Sequence, residues 1–540
     1  MAESKYKIEV GTSSIRIHNY ELEDCRTLEK NFEVWDPIYY RSFFFGMSYN
    51  KETKTLYLPR GIDLYYVQEK LKVPTNELIF LEPNEYDTFE NVGLLYKPRN
   101  DLQKQALRFM LSEGEYKRNR NYSMLLISST TGFGKSYCSI FTICHTRIKS
   151  IVITYAITIL QQWADYIFKY TNMQKDDVFL IQGAGSINML LKERSKYCNA
   201  KVYLVSHSTL RDYANQYGWD QIDLLFKKLR VGNCFIDEAH REYGNICDIC
   251  AHINVYKTYF VTATPNRSNP IEDKIYQLSM KNVPKISLYN PDIDRHINYL
   301  AIKFSSCPTA TEKSDMWNAY GIDKNKYIMY LVKNPNFYKV LRVVMDMALK
   351  ANGPVLFYID INEAILIVYR WIAENYPEFA GDIGIYSGLV SGKDKYEEKS
   401  KRLILSTLKS AGAAEQIDGL KMAVILAAPF KSSVTAVQAA GRLRDPNTWF
   451  IELIDLSFNQ LKKFYYAKLP TYHERMLSIK DVNINKENLE IKAADIEYKR
   501  ENYILRRCPL KHVDSRFGIG NIELLHFYEN GEKINLIKQY

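Results

Sequence analysis

Two stretches of the sequence could do phosphate chemistry. Residues 129–136 read Ser129-Thr130-Thr131-Gly132-Phe133-Gly134-Lys135-Ser136, after an apolar run at 124–128 and before a helix-compatible stretch. Glycines there let the backbone curl until its N–H groups face an anion. Thr131, Gly132, Phe133 and Gly134 would form the cradle. Lys135 would reach β- and γ-phosphates, and the Ser136 hydroxyl would hold Mg2+. A full phosphate-loop pattern has glycine first, where Ser129 stands here. The second stretch, Cys234-Phe235-Ile236-Asp237-Glu238-Ala239-His240, ends an apolar strand on two acids. Adjacent carboxylates at a strand end are unfavourable unless a cation or a polar partner takes them up. Asp237 is the expected Mg2+ ligand, and Glu238 the group expected to polarise an attacking water. ATP and Mg2+ are the implied cofactors.

The elements that must hold these residues follow from the apolar pattern. Between Tyr96 and Tyr289, the strands expected at 124–128, 150–154, 202–206, 234–237 and 258–262 alternate with amphipathic helical stretches. Such alternation implies a parallel sheet with crossover helices. A second α/β stretch carries strands at 355–359, 383–386, 403–406, 422–427 and 449–454, after a less regular segment at 290–335. Residues 1–80 read as strand 14–17, helix 21–31, strands 41–49 and 55–58, and helix 62–71, with a hairpin loop at 50–53. The acidic, proline-containing stretch 82–90 reads as a linker. The expected domains are therefore a small α+β accessory domain at 1–90, α/β domains at 91–289 and 290–470, and a C-terminal extension at 471–540.

Composition narrows the class. With 46% hydrophobic and 25% charged residues the chain is expected to be globular and soluble, not disordered. No apolar run approaches the roughly eighteen residues of a membrane span, and the first ten residues lack a signal-peptide core. Nine cysteines in 540 residues suit a reducing compartment, here the cytoplasm. The net charge of +10 is uneven. Residues 1–95 hold 11 basic and 16 acidic side chains and residues 471–540 hold 12 and 11, which leaves an excess of 14 positive charges on 96–470. A polyanion partner fits that segment.

Taken together, these motifs resemble superfamily 2 helicases, and within them the DEAH-type viral and phage DNA helicases of the T4 recombination-helicase kind. Asp237-Glu238-Ala239-His240 matches their second motif and Thr262-Ala263-Thr264-Pro265 their third. Gln438-Ala439-Ala440-Gly441-Arg442-Leu443-Arg444 resembles the sixth. Arg99-Asn100-Asp101-Leu102-Gln103 resembles the adenine-reading element, so Arg99 and Gln103 join the expected nucleotide site. The stretch from Thr154 to Gln162 and Trp163 resembles motif Ia, and Ser206-His207-Ser208-Thr209-Leu210 motif Ib. Gln162, Trp163, Ser208, Thr262 and Thr264 are thereby expected to contact nucleic acid or couple it to ATP. The resemblance implies two tandem RecA-like domains and ATP-driven movement on DNA that is single-stranded, forked or branched, with RNA as the alternative substrate. It also implies Gln438, Gly441, Arg442 and Arg444 as groups reaching the γ-phosphate, with Arg442 the favoured finger.

The sequence departs from that pattern at three places. Tyr155-Ala156 replace the usual Pro-Thr of motif Ia. Ser406-Thr407 to Gly412 lack the aspartate of motif V. Asp445 takes the position of the second motif VI arginine, although a Gly-Arg-x-Arg variant occurs in herpesvirus origin-binding helicases. The oligomeric state is left open with a monomer favoured, the expected location is the cytoplasm (that of the infected host cell for a viral or phage source), and the expected partners include other replication or transcription proteins and no membrane. The alternatives are a transcript-release translocase, the motor of a restriction complex, or a binding protein with a degenerate motor. Cys247, Cys250 and His252 have metal-like spacing but no fourth ligand nearby, and are expected to be buried. The aromatic stretch 35–49 reads as a sheet face rather than a base-stacking platform.

Overall fold

The computed structural model describes residues 4–21, 28, 33–36, 41–44, 49–130, 132–192, 196–239, 242–263, 270–289, 295–319, 321–379, 381–390, 394, 397–411, 417–484, 526–529 and 532–535. Contacts divide the chain into two units, Met1–Tyr289 and Asn290–Tyr540. Among the described residues no helix is long and apolar enough to cross a membrane.

The first unit begins with β1 (Lys7–Val10) and β2 (Ser14–His18), followed by a separate ribbon of β3 (Glu33–Asp36) with β4 (Arg41–Phe44). β5 (Tyr49–Asn50), β6 (Thr55–Pro59) and β7 (Ile79–Phe80) complete a mixed sheet in the order β5-β6-β2-β1-β7. Alternate residues Ile8, Val10, Ile15, Ile17, Leu56 and Leu58 bury one face against Val67 and Leu71 of the Leu64–Leu71 helix. The helix expected at 21–31 lies outside the described residues, apart from Glu21 and Leu28.

This small sheet is fixed to the α/β body. Ser13 Oγ donates to the carbonyls of Cys250 at 2.8 Å and Ile253 at 2.5 Å, and Ser14 Oγ to Ala251 at 3.0 Å. Those carbonyls close the Tyr243–His252 helix, where the last turn has no partners of its own. Asn254 Oδ1 accepts from both the backbone N–H and the hydroxyl of Thr12, at 2.8 and 3.0 Å. The His252 ring stacks on Trp219 at 4.9 Å and meets Tyr57 of β6 at 4.5 Å. Burial, with the nearby Arg16 charge adding to it, pushes His252 down to about 4, so it sits there neutral.

The α/β body has seven strands, β8 (Met124–Ser129), β9 (Ser150–Thr154), β10 (Val178–Ile181), β11 (Val202–Ser206), β12 (Asn233–Asp237), β13 (Lys257–Thr262) and β14 (Lys285–Leu288). All pair in parallel, in the order β10-β11-β9-β12-β13-β8-β14. β8, β9, β11 and β13 are buried along their whole length, which is why they read as apolar runs rather than as alternation.

The second unit contains β15 (Ile297–Phe304), a short ribbon of β16 (Trp317–Asn318) with β17 (Gly321–Ile322), then β18 (Val355–Ile359), β19 (Ile383–Tyr386), β20 (Leu403–Ser406), β21 (Met422–Ala427), β22 (Thr448–Asp455) and β23 (Ser478–Asn483). Its parallel sheet runs β19-β20-β18-β21-β22-β15-β23. Numbered within each unit by sequence, both sheets share one order, 3-4-2-5-6-1-7. The units therefore have the same topology.

The boundary expected at 470 falls inside a helix. The Asn459–Arg475 helix runs through Pro470, and β23 beyond it is the seventh strand of the second sheet, paired with β15. Of the C-terminal residues beyond 484, the described ones form a hairpin of β24 (His526–Glu529) with β25 (Glu532–Asn535).

Candidate nucleotide site

The phosphate loop leaves β8 at Ser129 and enters the Lys135–Thr146 helix. Gly132 and Gly134 take φ of 81° and 96°, which side chains other than glycine rarely adopt. Thr131 lies outside the described residues. Behind the loop stands the Asp101–Leu111 helix, capped by Asn100, whose side chain accepts from Gln103 N at 2.9 Å. Arg99 donates to the carbonyls of Gly132 at 2.7 Å and Phe133 at 2.8 Å, and Gln103 Nε2 donates to Phe133 O at 2.7 Å. Carbonyl oxygens would repel a phosphate, and these two are held by Arg99 and Gln103. A side chain at Gly134 would come within 2.5 Å of Gln103 Nε2, a second reason for glycine there.

Gln103 also braces the loop. Its carbonyl accepts from Arg99 N at 2.9 Å and its amide holds the loop, and the residue is only 3% exposed. Lys135 reaches back over the loop, with Nζ 3.3 Å from Thr130 O. Ser136 is half-buried in the first helical turn.

β12 ends on the two acids. Parallel strands present ligands at their C-terminal ends. Here β8, β13 and β12 are neighbours, with Thr262 opposite Ser128 and Val261 opposite Asp237. Glu238 takes φ of 50°, a left-handed conformation that is costly for a side-chain-bearing residue and is concentrated at functional sites. Its N–H donates to Asp237 Oδ1 at 3.0 Å, and Ala239 N donates to Val261 O at 3.1 Å. The other Asp237 oxygen, Oδ2, accepts from the indole N–H of Trp163 at 2.9 Å. Burial pushes the Asp237 carboxyl up, and the neighbouring Glu238 charge adds to it. The Trp163 hydrogen bond and the Lys135 charge act the other way.

The oxygen set fits Mg2+. That ion takes one or two carboxylates together with phosphate oxygens and water, not a full protein cage. A half-buried carboxylate whose own surroundings oppose its charge, Asp237, and the hydroxyl of Ser136 would supply that set. Among the described residues no group of three or more His, Cys, Asp or Glu could hold a metal by itself.

The other expected contacts separate by burial. Trp163 is 2% exposed and Thr262 is fully buried. Gln162 Nε2 donates to Tyr166 Oη at 2.7 Å, and Ser208 Oγ lies 2.9 Å from Ser206 Oγ. Thr264, with His240 and Pro265, lies outside the described residues. Cys247 and Cys250 sit in the apolar core on the Tyr243–His252 helix.

In the second unit Gln438 lies on the Ser433–Ala440 helix, which Ser432 caps. Gly441 N donates to Val437 O at 2.8 Å and ends that helix, so Arg442 and Arg444 follow in a turn. Arg442 is 8% exposed, with its charge acting on the buried Tyr358, whereas Arg444 is exposed. Asp445 pairs with Lys421 at 2.6 Å.

Sequence reasoning did not connect Trp163 with Asp237. The two are 74 positions apart in sequence, and only the pairing of β9 with β12 brings their elements together.

Residues 96–267 match the family described as Type III restriction enzyme, res subunit. No curated protein matches the chain. Among solved structures, yeast (S. cerevisiae) Dbp5 bound to RNA and ADP BeF3 is 12% identical with a TM-score of 0.50, over 72% of this chain and 90% of that one. T4 UvsW is 14% identical with a TM-score of 0.33, over 88% and 99%. The Pyrococcus furiosus Hef helicase domain is 12% identical with a TM-score of 0.43, over 68% and 98%. At these identities the likeness is one of fold: the two α/β units have the architecture of tandem RecA-like helicase domains, preceded by a small mixed sheet.

Proposed function

We propose that the chain is an ATP-dependent superfamily 2 DNA helicase or translocase that remodels forked or branched DNA in viral or phage replication, recombination or repair. The observation that carries this reading is that the phosphate loop and the pair Asp237 and Glu238 stand at the C-terminal ends of β8 and β12, the two parallel strands on either side of β13. Mg2+, when bound, neutralises charge on the β- and γ-phosphates. Lys135 orients the terminal phosphate, Ser136 and Asp237 supply the metal's protein oxygens, and Glu238 draws a proton from the attacking water. An arginine of the turn after Gly441 stabilises charge on the transferred group. The excess of positive charge on 96–470 suits a DNA backbone.

The family match at 96–267 favours one second reading, the motor of a restriction complex. That reading requires a nuclease-bearing partner that co-purifies with the chain.

The test is steady-state ATP hydrolysis with single-stranded DNA, duplex, fork, four-way junction and RNA in turn. Forked or four-way DNA is expected to raise turnover about tenfold or more over no nucleic acid. Stimulation by RNA alone would replace DNA with RNA as the substrate, and turnover indifferent to every nucleic acid would contradict the motor reading.

A further inference from the structure

Both oxygens of Asp237 are held by the chain itself. Oδ1 takes the N–H of the next residue, a bond that any residue at 238 in this conformation would make. Oδ2 takes the indole N–H of Trp163 at 2.9 Å, from a side chain 2% exposed. Trp163 lies on the Thr158–Tyr170 helix, which is also attached to the phosphate-loop side of the site. The ring of Tyr170 meets that of Tyr137 edge-on at 5.3 Å, and Tyr137 follows Ser136 directly on the phosphate-loop helix. One helix thus touches Asp237 through an indole and, through a tyrosine pair, the residue next to Ser136.

Indole nitrogen is a donor only and its ring is rigid, so the Trp163 bond fixes the direction of one carboxylate oxygen. We propose that Trp163 is the positioning residue of the metal-binding carboxylate: its N–H sets the orientation in which Asp237 meets Mg2+, and so makes the Thr158–Tyr170 helix part of the metal site. This rests on the proposed nucleotide site. Groups that orient a metal's ligands typically change metal affinity by about 10- to 100-fold when removed.

The experiment follows Mg2+-dependent binding of a fluorescent methylanthraniloyl ester of β,γ-imido-ATP to wild type, Trp163→Phe and Trp163→His. Phenylalanine keeps an aromatic ring and loses the donor, whereas histidine keeps a ring N–H. In EDTA all three are expected to bind the analogue alike. The Mg2+ concentration for half-saturation should rise about tenfold or more in Trp163→Phe and fall back toward wild type in Trp163→His. An unchanged half-saturation, or equal loss of binding with and without Mg2+, overturns the proposal, since the latter is what lost packing alone would produce. Wild-type binding that ignores Mg2+ would instead remove the nucleotide-site reading and this proposal together. If Trp163→Phe does not fold, 5-fluorotryptophan in the wild-type chain carries the test. One of the six tryptophan signals must then move when Mg2+ joins the bound analogue, and six unmoved signals overturn the proposal.

Discussion

Gln103 Nε2 donates to the carbonyl oxygen of Phe133 at 2.7 Å, joining the helix behind the phosphate loop to the residue before Gly134. Gln103→Glu replaces that donor with a carboxylate oxygen facing a carbonyl. The expected result is a loss of about 1–3 kcal/mol in stability, from two buried acceptors left opposed, together with weaker nucleotide binding. Gln103→Ala should lower affinity less than Gln103→Glu. Equal binding by both variants and wild type, in a fluorescence titration with a nucleotide analogue, would mean that the loop holds its shape without this brace.

The buried Lys257, at the start of β13, gives a pH signature far from the nucleotide. Its ammonium donates to Ser112 Oγ and Asn119 O, both at 3.1 Å, and has no carboxylate partner among the described residues. Burial, with Arg120 adding to it, pushes it down to about 8, against an ordinary value of 10.5. Between those values the unfolded chain binds the proton and the folded chain does not. Stability therefore rises with pH across the window, and below pH 8 the full penalty of the buried charge is present. The difference in unfolding free energy between wild type and Lys257→Met should be flat below about pH 8, and should then move in favour of wild type by up to about 1.4 kcal/mol per pH unit. Denaturant melts at a series of pH values measure it; a difference that stays flat to pH 10 contradicts the assignment.

The two motif VI arginines differ in their surroundings. Arg442 is buried in its own unit and Arg444 is exposed. Lysine keeps the charge and loses the planar fork. Arg442→Lys is expected to lower the melting temperature, while Arg444→Lys melts as wild type and loses turnover by roughly 10³-fold if it is the finger. Full turnover in Arg444→Lys with loss in Arg442→Lys would return the role to Arg442, the residue favoured by its spacing from Gln438 and Gly441.

The sequence was most legible where strands are buried on both faces. Ser150–Thr154, Val202–Ser206, Val355–Ile359 and Met422–Ala427 lie at the residues their apolar runs indicate. It was least legible at the edges of sheets and in short strands. β23, Ser-Ile-Lys-Asp-Val-Asn, is a largely exposed edge strand with no apolar run, so its place in the second sheet shows only in its pairing with β15. β10 has four residues flanked by Asp176 and Asp177, too few to establish a period. β15 is long and apolar, but the irregular segments around it hid its place as the first strand of the second sheet. In the site, local spacing located Lys135, Ser136, Asp237 and Glu238, because loop and strand end are each continuous in sequence. The brace from Gln103 and the Trp163 bond to Asp237 were not legible as such, since each joins residues distant in sequence, 30 and 74 positions apart.

The central claim is that this loop and acid pair hydrolyse ATP, and its most direct measurement is steady-state ATPase of wild type and Lys135→Ala, each with a thermal melt. Lys135 is the first residue of the helix that follows the phosphate loop, with its ammonium reaching back to Thr130 O. The expected result is nucleic-acid-stimulated turnover in wild type, turnover in Lys135→Ala below about a tenth of that, and little change in melting temperature. A Lys135→Ala protein that melts normally and keeps more than about a tenth of wild-type turnover would contradict the account.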